Sequence, residues 1–204
     1  MSINVITISR EFGSGGRTIA RKVAEKLGYK FYDKALVERI AEESGYSPDF
    51  IETRGEDATS TSSFLFNLAR SGAGGAIDGG PGISDRLYVI QSNIIKKIAD
   101  EGPCVIVGRC SDYILKDRED AMHVFVRAEK SFKADRIVRL YGESDVAPYK
   151  RLDGKDKKRK VYYNNYTGRT WGYCSNYDLC LNSGKLGIDT CADIIVNLVN
   201  SNKD

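Results

Sequence analysis

Residues 9–18 read SREFGSGGRT. The apolar run INVITI (3–8) precedes them, and the segment IARKVAEKLG (19–28) comes next. A buried strand, a glycine-rich turn and an amphipathic helix are therefore expected in succession. In that setting a phosphate-binding loop takes the form G-x-x-x-x-G-K-S/T. Backbone N–H groups at a helix start favour anions, and glycine lets the chain wrap them without side-chain clash. Laid over the pattern, Gly16 and Thr18 match, whereas Glu11 stands at the first glycine and Arg17 at the lysine.

Three readings of this stretch are open from the residues alone. A ligand-free turn needs one or two glycines, and here Gly13, Gly15 and Gly16 fill three of four positions around Ser14. A dinucleotide fingerprint, G-x-G-x-x-G, would start at Gly13, and Asp33 lies twenty residues on, where a ribose-binding carboxylate would sit. Thr18 occupies the place of its third glycine, however. A modified phosphate loop fits best. Arg17 keeps the positive charge on a planar fork suited to phosphate oxygens, and Thr18 offers a hydroxyl to Mg²⁺. Glu11 sets a carboxylate beside a polyanion, with Arg10 next to it as an offset.

The 204 residues, 41% apolar and 29% charged, suit one α/β domain over 1–204 with a real core. A net charge of +3 is too small by itself to imply nucleic-acid binding. No stretch reaches the roughly 20 apolar residues of a membrane helix, and the strand pattern begins too early for a signal peptide. The five cysteines show no C-x-x-C spacing. Reduced thiols in a cytoplasmic protein are expected rather than disulfides or zinc.

Further along, YKFYD reads as a short strand ending at Asp33, with a helix after it. Ser47-Pro48 is suited to start another. The segment 71–82, SGAGGAIDGGPG, is half glycine and is expected to be mobile or ordered by ligand. Next is an amphipathic helix through Leu87, Ile90, Ile94 and Ile98. CVIVG (104–108) and MHVFVRA (122–128) read as buried strands, 129–141 as a helix with Arg136 and Arg139, and YDLCLN as a last strand before a closing helix. Strands alternating with helices imply a parallel sheet covered on both faces.

The order of ISREFGSGGRTIA, LGYKFYDKALV, VIVGRCSDYIL, the D-x-x-R of DKKR and YDLCLNS resembles the cytidylate kinase-like family, a group of P-loop nucleoside monophosphate kinases. The resemblance spans nearly the whole chain. It implies an α/β, three-layer P-loop NTPase-type domain with a parallel sheet and a helical lid at about 144–173. It further implies ATP and Mg²⁺ as cofactors and CMP or dCMP as the phosphoryl acceptor. Gly13, Ser14, Gly15, Gly16, Arg17 and Thr18 would then cradle ATP, with Thr18 on the metal. Arg109 matches the arginine that holds the monophosphate, and Asp33 the aspartate near the acceptor phosphate. Asp112 is a candidate for the nucleoside, although the family aspartate directly follows the arginine and Cys110 takes that place here. Asp156 and Arg159 match the pair that bridges nucleoside and phosphates on closure; Arg151 lies one position off the family's upstream arginine. Together with Arg17 and Arg109 they are the expected catalytic residues. Glu11 and Arg17 depart from the family pattern and bear on turnover rather than on fold.

Other chemistries find less support. The single histidine, His123, falls in an expected strand and reads as structural, and no G-x-S-x-G elbow is present. Basic residues 157–160, with Tyr162, Tyr163, Tyr166, Trp171 and Tyr173 after them, could stack and bind single-stranded RNA. That combination keeps open a nucleotide- or RNA-binding regulator of the same fold. Nucleic acid is the less expected partner, because it would not require the loop, Gly108-Arg109 and D-x-x-R together.

Overall fold

The computed structural model describes residues 2–54 and 82–202. All but the last position of the glycine-rich 71–82 segment therefore lies outside the described residues. In chain order the elements are β1 (Val5–Arg10), α1 (Gly16–Leu27), β2 (Lys30–Tyr32), α2 (Lys34–Ser44), α3 (Pro48–Arg54) and α4 (Ile83–Asp100). They continue with β3 (Cys104–Val107), α5 (Ser111–Ile114), β4 (Ala121–Arg127), α6 (Lys130–Tyr141) and α7 (Pro148–Thr167). A 3-10 turn (Cys174–Asn176), β5 (Leu179–Asn182), α8 (Ser183–Leu186) and α9 (Ile188–Ser201) close the chain.

The strands form one parallel sheet in the order β2-β3-β1-β4-β5. Side chains alternate faces along each strand, so each central strand feeds two cores. Ile6, Ile8, Val105, Val107, Val124 and Val126 pack against α1 and α9 through Ile19, Val23, Ile195 and Val199. Val5, Cys104 and Ile106 point the other way, to Leu36, Ile40, Leu87, Ile94 and Ile98 of α2 and α4. Helix, sheet and helix make the expected three layers of a P-loop kinase fold.

Register brings the carboxyl ends of three strands together. Ile8 pairs with Val107, and Tyr32 with Ile106. The Phe12–Gly15 turn, Asp33 and Arg109 thus emerge at one edge, where open α/β sheets bind ligands.

The 144–173 stretch is mostly one helix. Pro148 occupies its first turn and Gly168, with φ +69°, ends it. Its N-terminal half packs Leu152 against Ala134, Ile137 and Phe12. Its C-terminal half packs Tyr162, Tyr163 and Tyr166 against Tyr88 and Cys110, with Tyr166 stacked on Tyr88 at 4.2 Å. The tyrosines that could have stacked on bases are interior; Tyr173 is the exposed one of that series. His123 is buried, with Nδ1 2.8 Å from Thr7 Oγ1 and its backbone N–H donating to Asp178. Burial pushes its pKa down.

Candidate active site

The glycine turn is built by close approach. Gly13 and Gly15 both have φ +82°, a region that disfavours side chains. A Cβ on Gly13 would lie 2.9 Å from the Lys133 carbonyl oxygen, and one on Gly15 would strike Ile188 Cδ1. Buried Ser14 donates its hydroxyl to the Glu11 carbonyl (2.8 Å) and its own carbonyl accepts from Ser183 Oγ (2.5 Å). Ser14 therefore shapes the turn with its side chain. Gly15, the N-cap of α1, has no side chain to cap it, and an uncapped helix start is the kind of feature that favours an anion.

Two cations flank that helix start. Arg17 pairs through Nε with Asp33 Oδ2. Asp33 does hold the N-cap position of α2, yet its carboxylate makes no cap bond and turns to Arg17 instead. Arg136, on α6, donates from Nη2 to Thr18 Oγ1 at 3.0 Å. Burial lowers the Arg136 pKa, and no carboxylate contributes to its shift. A partly buried guanidinium in that state favours an anion beside it.

Glu11 does not face the anion site. Its Oε2 accepts from the Ala128 N–H (3.1 Å) and from Lys133 Nζ (2.8 Å). Lys133, 4% exposed, also lies 3.6 Å from Asp156 Oδ2. Asp156 reaches across from α7 and accepts the Phe12 N–H at 2.7 Å. Burial raises the Asp156 pKa, and the Phe12 N–H, Arg159 and Lys133 counter that rise. Arg159 donates to the Arg10 carbonyl (3.2 Å) and to Asp156 Oδ1 (3.3 Å). The D-x-x-R pair thus docks α7 onto the phosphate loop. Arg151 points elsewhere, to the Gly142 carbonyl.

On the acceptor side, Gly108, Arg109 and Cys110 form a left-handed run, with φ of 67°, 60° and 56°. Two consecutive non-glycine residues there carry backbone strain of a kind that collects at functional sites. At Gly108 the positive φ favours glycine, and a Cβ there would displace the Arg10 guanidinium. The run is held by Gln91 Nε2, which donates to the Arg109 carbonyl at 2.9 Å. Arg109 Nη1 lies 3.3 Å from the Ile51 carbonyl. Asp112, the candidate for the nucleoside, is 1% exposed. It accepts from Tyr163 OH (2.6 Å) and Ser9 Oγ (3.3 Å), both of which line the cavity that it backs.

Beside the glycine turn lies a cavity of about 520 Å³, whose lining does not include Gly13, Ser14, Gly15, Gly16, Thr18, Asp112 or Asp156. Arg17, Asp33, Arg109 and Arg159 all line it, so the structure brings together four of the residues singled out from the sequence. Basic side chains outnumber acidic ones on its wall: Lys34, Lys155, Lys158 and Arg10 join the three arginines, against Asp33 and Glu52. The chain offers such a wall to a polyanion. Sequence reasoning missed Lys133. Its signal was a lysine four residues before Ile137 on the buried face of α6, a position that demands a carboxylate partner.

Comparisons with known proteins bear on family and fold. The sequence profile of the cytidylate kinase-like family matches residues 5–185. A cytidylate kinase from Pyrococcus horikoshii is 24% identical over 182 residues, covering 89% of this chain and 80% of its own. An uncharacterized protein from Eubacterium ventriosum superposes with a TM-score of 0.72 at 28% identity, covering 97% of this chain and 98% of its own. Shikimate kinase from Bacteroides thetaiotaomicron gives a TM-score of 0.53 at 16% identity, with 96% and 98% covered. The last is a likeness of fold.

Proposed function

Because the chain belongs to the cytidylate kinase-like family, we propose that it transfers the γ-phosphoryl group of ATP to a nucleoside monophosphate, with CMP or dCMP as the first candidates. One observation carries the reading. Arg17 in the first turn of α1, Arg109 after β3 and Arg159 of α7 line a single cavity at the carboxyl edge of the sheet.

Phosphoryl transfer asks chiefly for alignment and for positive charge around the moving group. The N–H groups of Gly16, Arg17 and Thr18 would hold the β-phosphate region of ATP, with Arg136 alongside. Arg109, rigidly presented by its left-handed run, would hold the acceptor phosphate. Arg159 would add charge over the transferring group, and Asp156 would keep α7 seated on the loop while it does so. Bound Mg²⁺ supplies further charge neutralisation at the phosphates. The donor set accommodates it: Thr18 Oγ1 accepts one hydrogen bond, from Arg136, and keeps a lone pair.

The test is an ATP-dependent assay over a panel of nucleoside monophosphates with ADP as the readout. Turnover with pyrimidine monophosphates is expected. A second reading, a nucleotide-binding regulator with weak turnover, is favoured by the Arg17–Asp33 and Arg136–Thr18 pairs, which engage both loop side chains. ATP binding without ADP production from any monophosphate would select it. The dinucleotide reading loses ground, since Asp33 pairs with Arg17.

A further inference from the structure

A glutamate in a phosphate loop needs an explanation, and it lies under the loop. Glu11 stands where such loops place a glycine, yet its carboxylate is turned 2.8 Å from Lys133 Nζ and also takes the Ala128 N–H. Lys133 is 4% exposed and packs its backbone against Gly13. The same ammonium lies 3.6 Å from Asp156 Oδ2, and Asp156 in turn takes the Phe12 N–H. Arg159 completes the group through Asp156 Oδ1. Two cations therefore face two carboxylates beneath the loop.

We infer that Lys133 is a positioning residue that neutralises Glu11 and holds its carboxylate off the anion face of the loop, while its contact with Asp156 keeps α7 docked at Phe12. The inference deepens the proposed function and rests on it. Lys133 does not touch the nucleotide in this account; it acts through Glu11. Without its charge, a quarter-exposed carboxylate one residue from Phe12 is left with a single backbone N–H. It then gains by rotating into water, towards the phosphates, where like charge repels them.

The test is a cycle of four full-length proteins: wild type, Lys133→Met, Glu11→Gln and the double variant. ATP affinity is measured by calorimetry and folding by thermal melting. Lys133→Met should weaken ATP binding by on the order of tenfold. Adding Glu11→Gln should restore affinity to within about threefold of wild type, since an isosteric neutral pair replaces a partly buried ion pair. A double variant as weak as Lys133→Met would overturn the inference, because Lys133 would then contact phosphate or merely support the fold. Wild-type affinity in Lys133→Met would overturn it too. If Lys133→Met fails to fold, the double variant alone decides: near-wild-type affinity supports the pairing, and weak binding refutes it. No ATP binding by wild type would reject the proposed function, while a melting temperature lowered in Lys133→Met and recovered in the double variant would still show the charge coupling.

Discussion

In the proposed reading, ATP must compete with Asp33 for the Arg17 guanidinium. The pair is partly exposed, with side-chain exposures of 42% and 16%, so its worth is limited by solvent screening to about 1 kcal/mol or less. Asp33→Asn is therefore expected to tighten ATP binding by up to roughly fivefold. Titration calorimetry checks this, and weaker binding would mean that Asp33 aims Arg17 rather than competes for it. Asp112 supports a second expectation. Burial holds its pKa above the ordinary carboxylate value, against hydrogen bonds from Tyr163 and Ser9 and the charge of His123. A raised folded-state pKa means that its favourable contribution is present at acid pH. That contribution is lost as pH rises from the unfolded value of about 4 through the folded one. Asp112→Asn should gain stability relative to wild type across that window, by at most about 1.4 kcal/mol per pH unit. Paired thermal melts from pH 4 to 8 read the difference, and a flat difference would contradict it. Residue identity alone had placed Arg17, Asp33 and Arg109 at the site, because motif spacing counts along the chain. It could not show that Arg17 and Asp33 face each other, since that contact joins two elements.

Among the elements, the strands were legible in the residues, whereas the long basic helix came from the family resemblance and its buried face from neither. Val5–Arg10 and Cys104–Val107 carry the β-branched runs that buried parallel strands require. α7 hides its buried face. Lysines and arginines crowd 150–160, while Leu152, Asp156 and the three tyrosines that pack inward are spread along it. Counted as charge and aromatics, the segment resembled a nucleic-acid surface. Folded, it is a docked helix whose Lys155, Lys158 and Arg159 line the cavity. Arg159→Ala tests the role of this element. Removing a cation aimed at developing charge typically costs a few kcal/mol, so kcat should fall by on the order of 10²-fold. Affinity for ATP alone should change much less. Full activity in Arg159→Ala would detach α7 from the chemistry, and loss of RNA binding beside it would revive the regulator.

At the scale of the whole molecule, one parallel sheet sets three strand ends side by side and one helical hairpin, α6 and α7, leans over them. Strand order was not readable from periodicity, which reports faces but not neighbours. The left-handed Gly108–Cys110 run was not readable either, since arginine and cysteine carry no signal for φ near +60°. The proposed reaction is a direct transfer between two bound nucleotides. ATP labelled in its γ-phosphoryl group, incubated with the protein, Mg²⁺ and CMP, should yield label in CDP, at a rate that rises and saturates with CMP. Label released only as inorganic phosphate, or retained in ATP with CMP and every other monophosphate, would contradict the account.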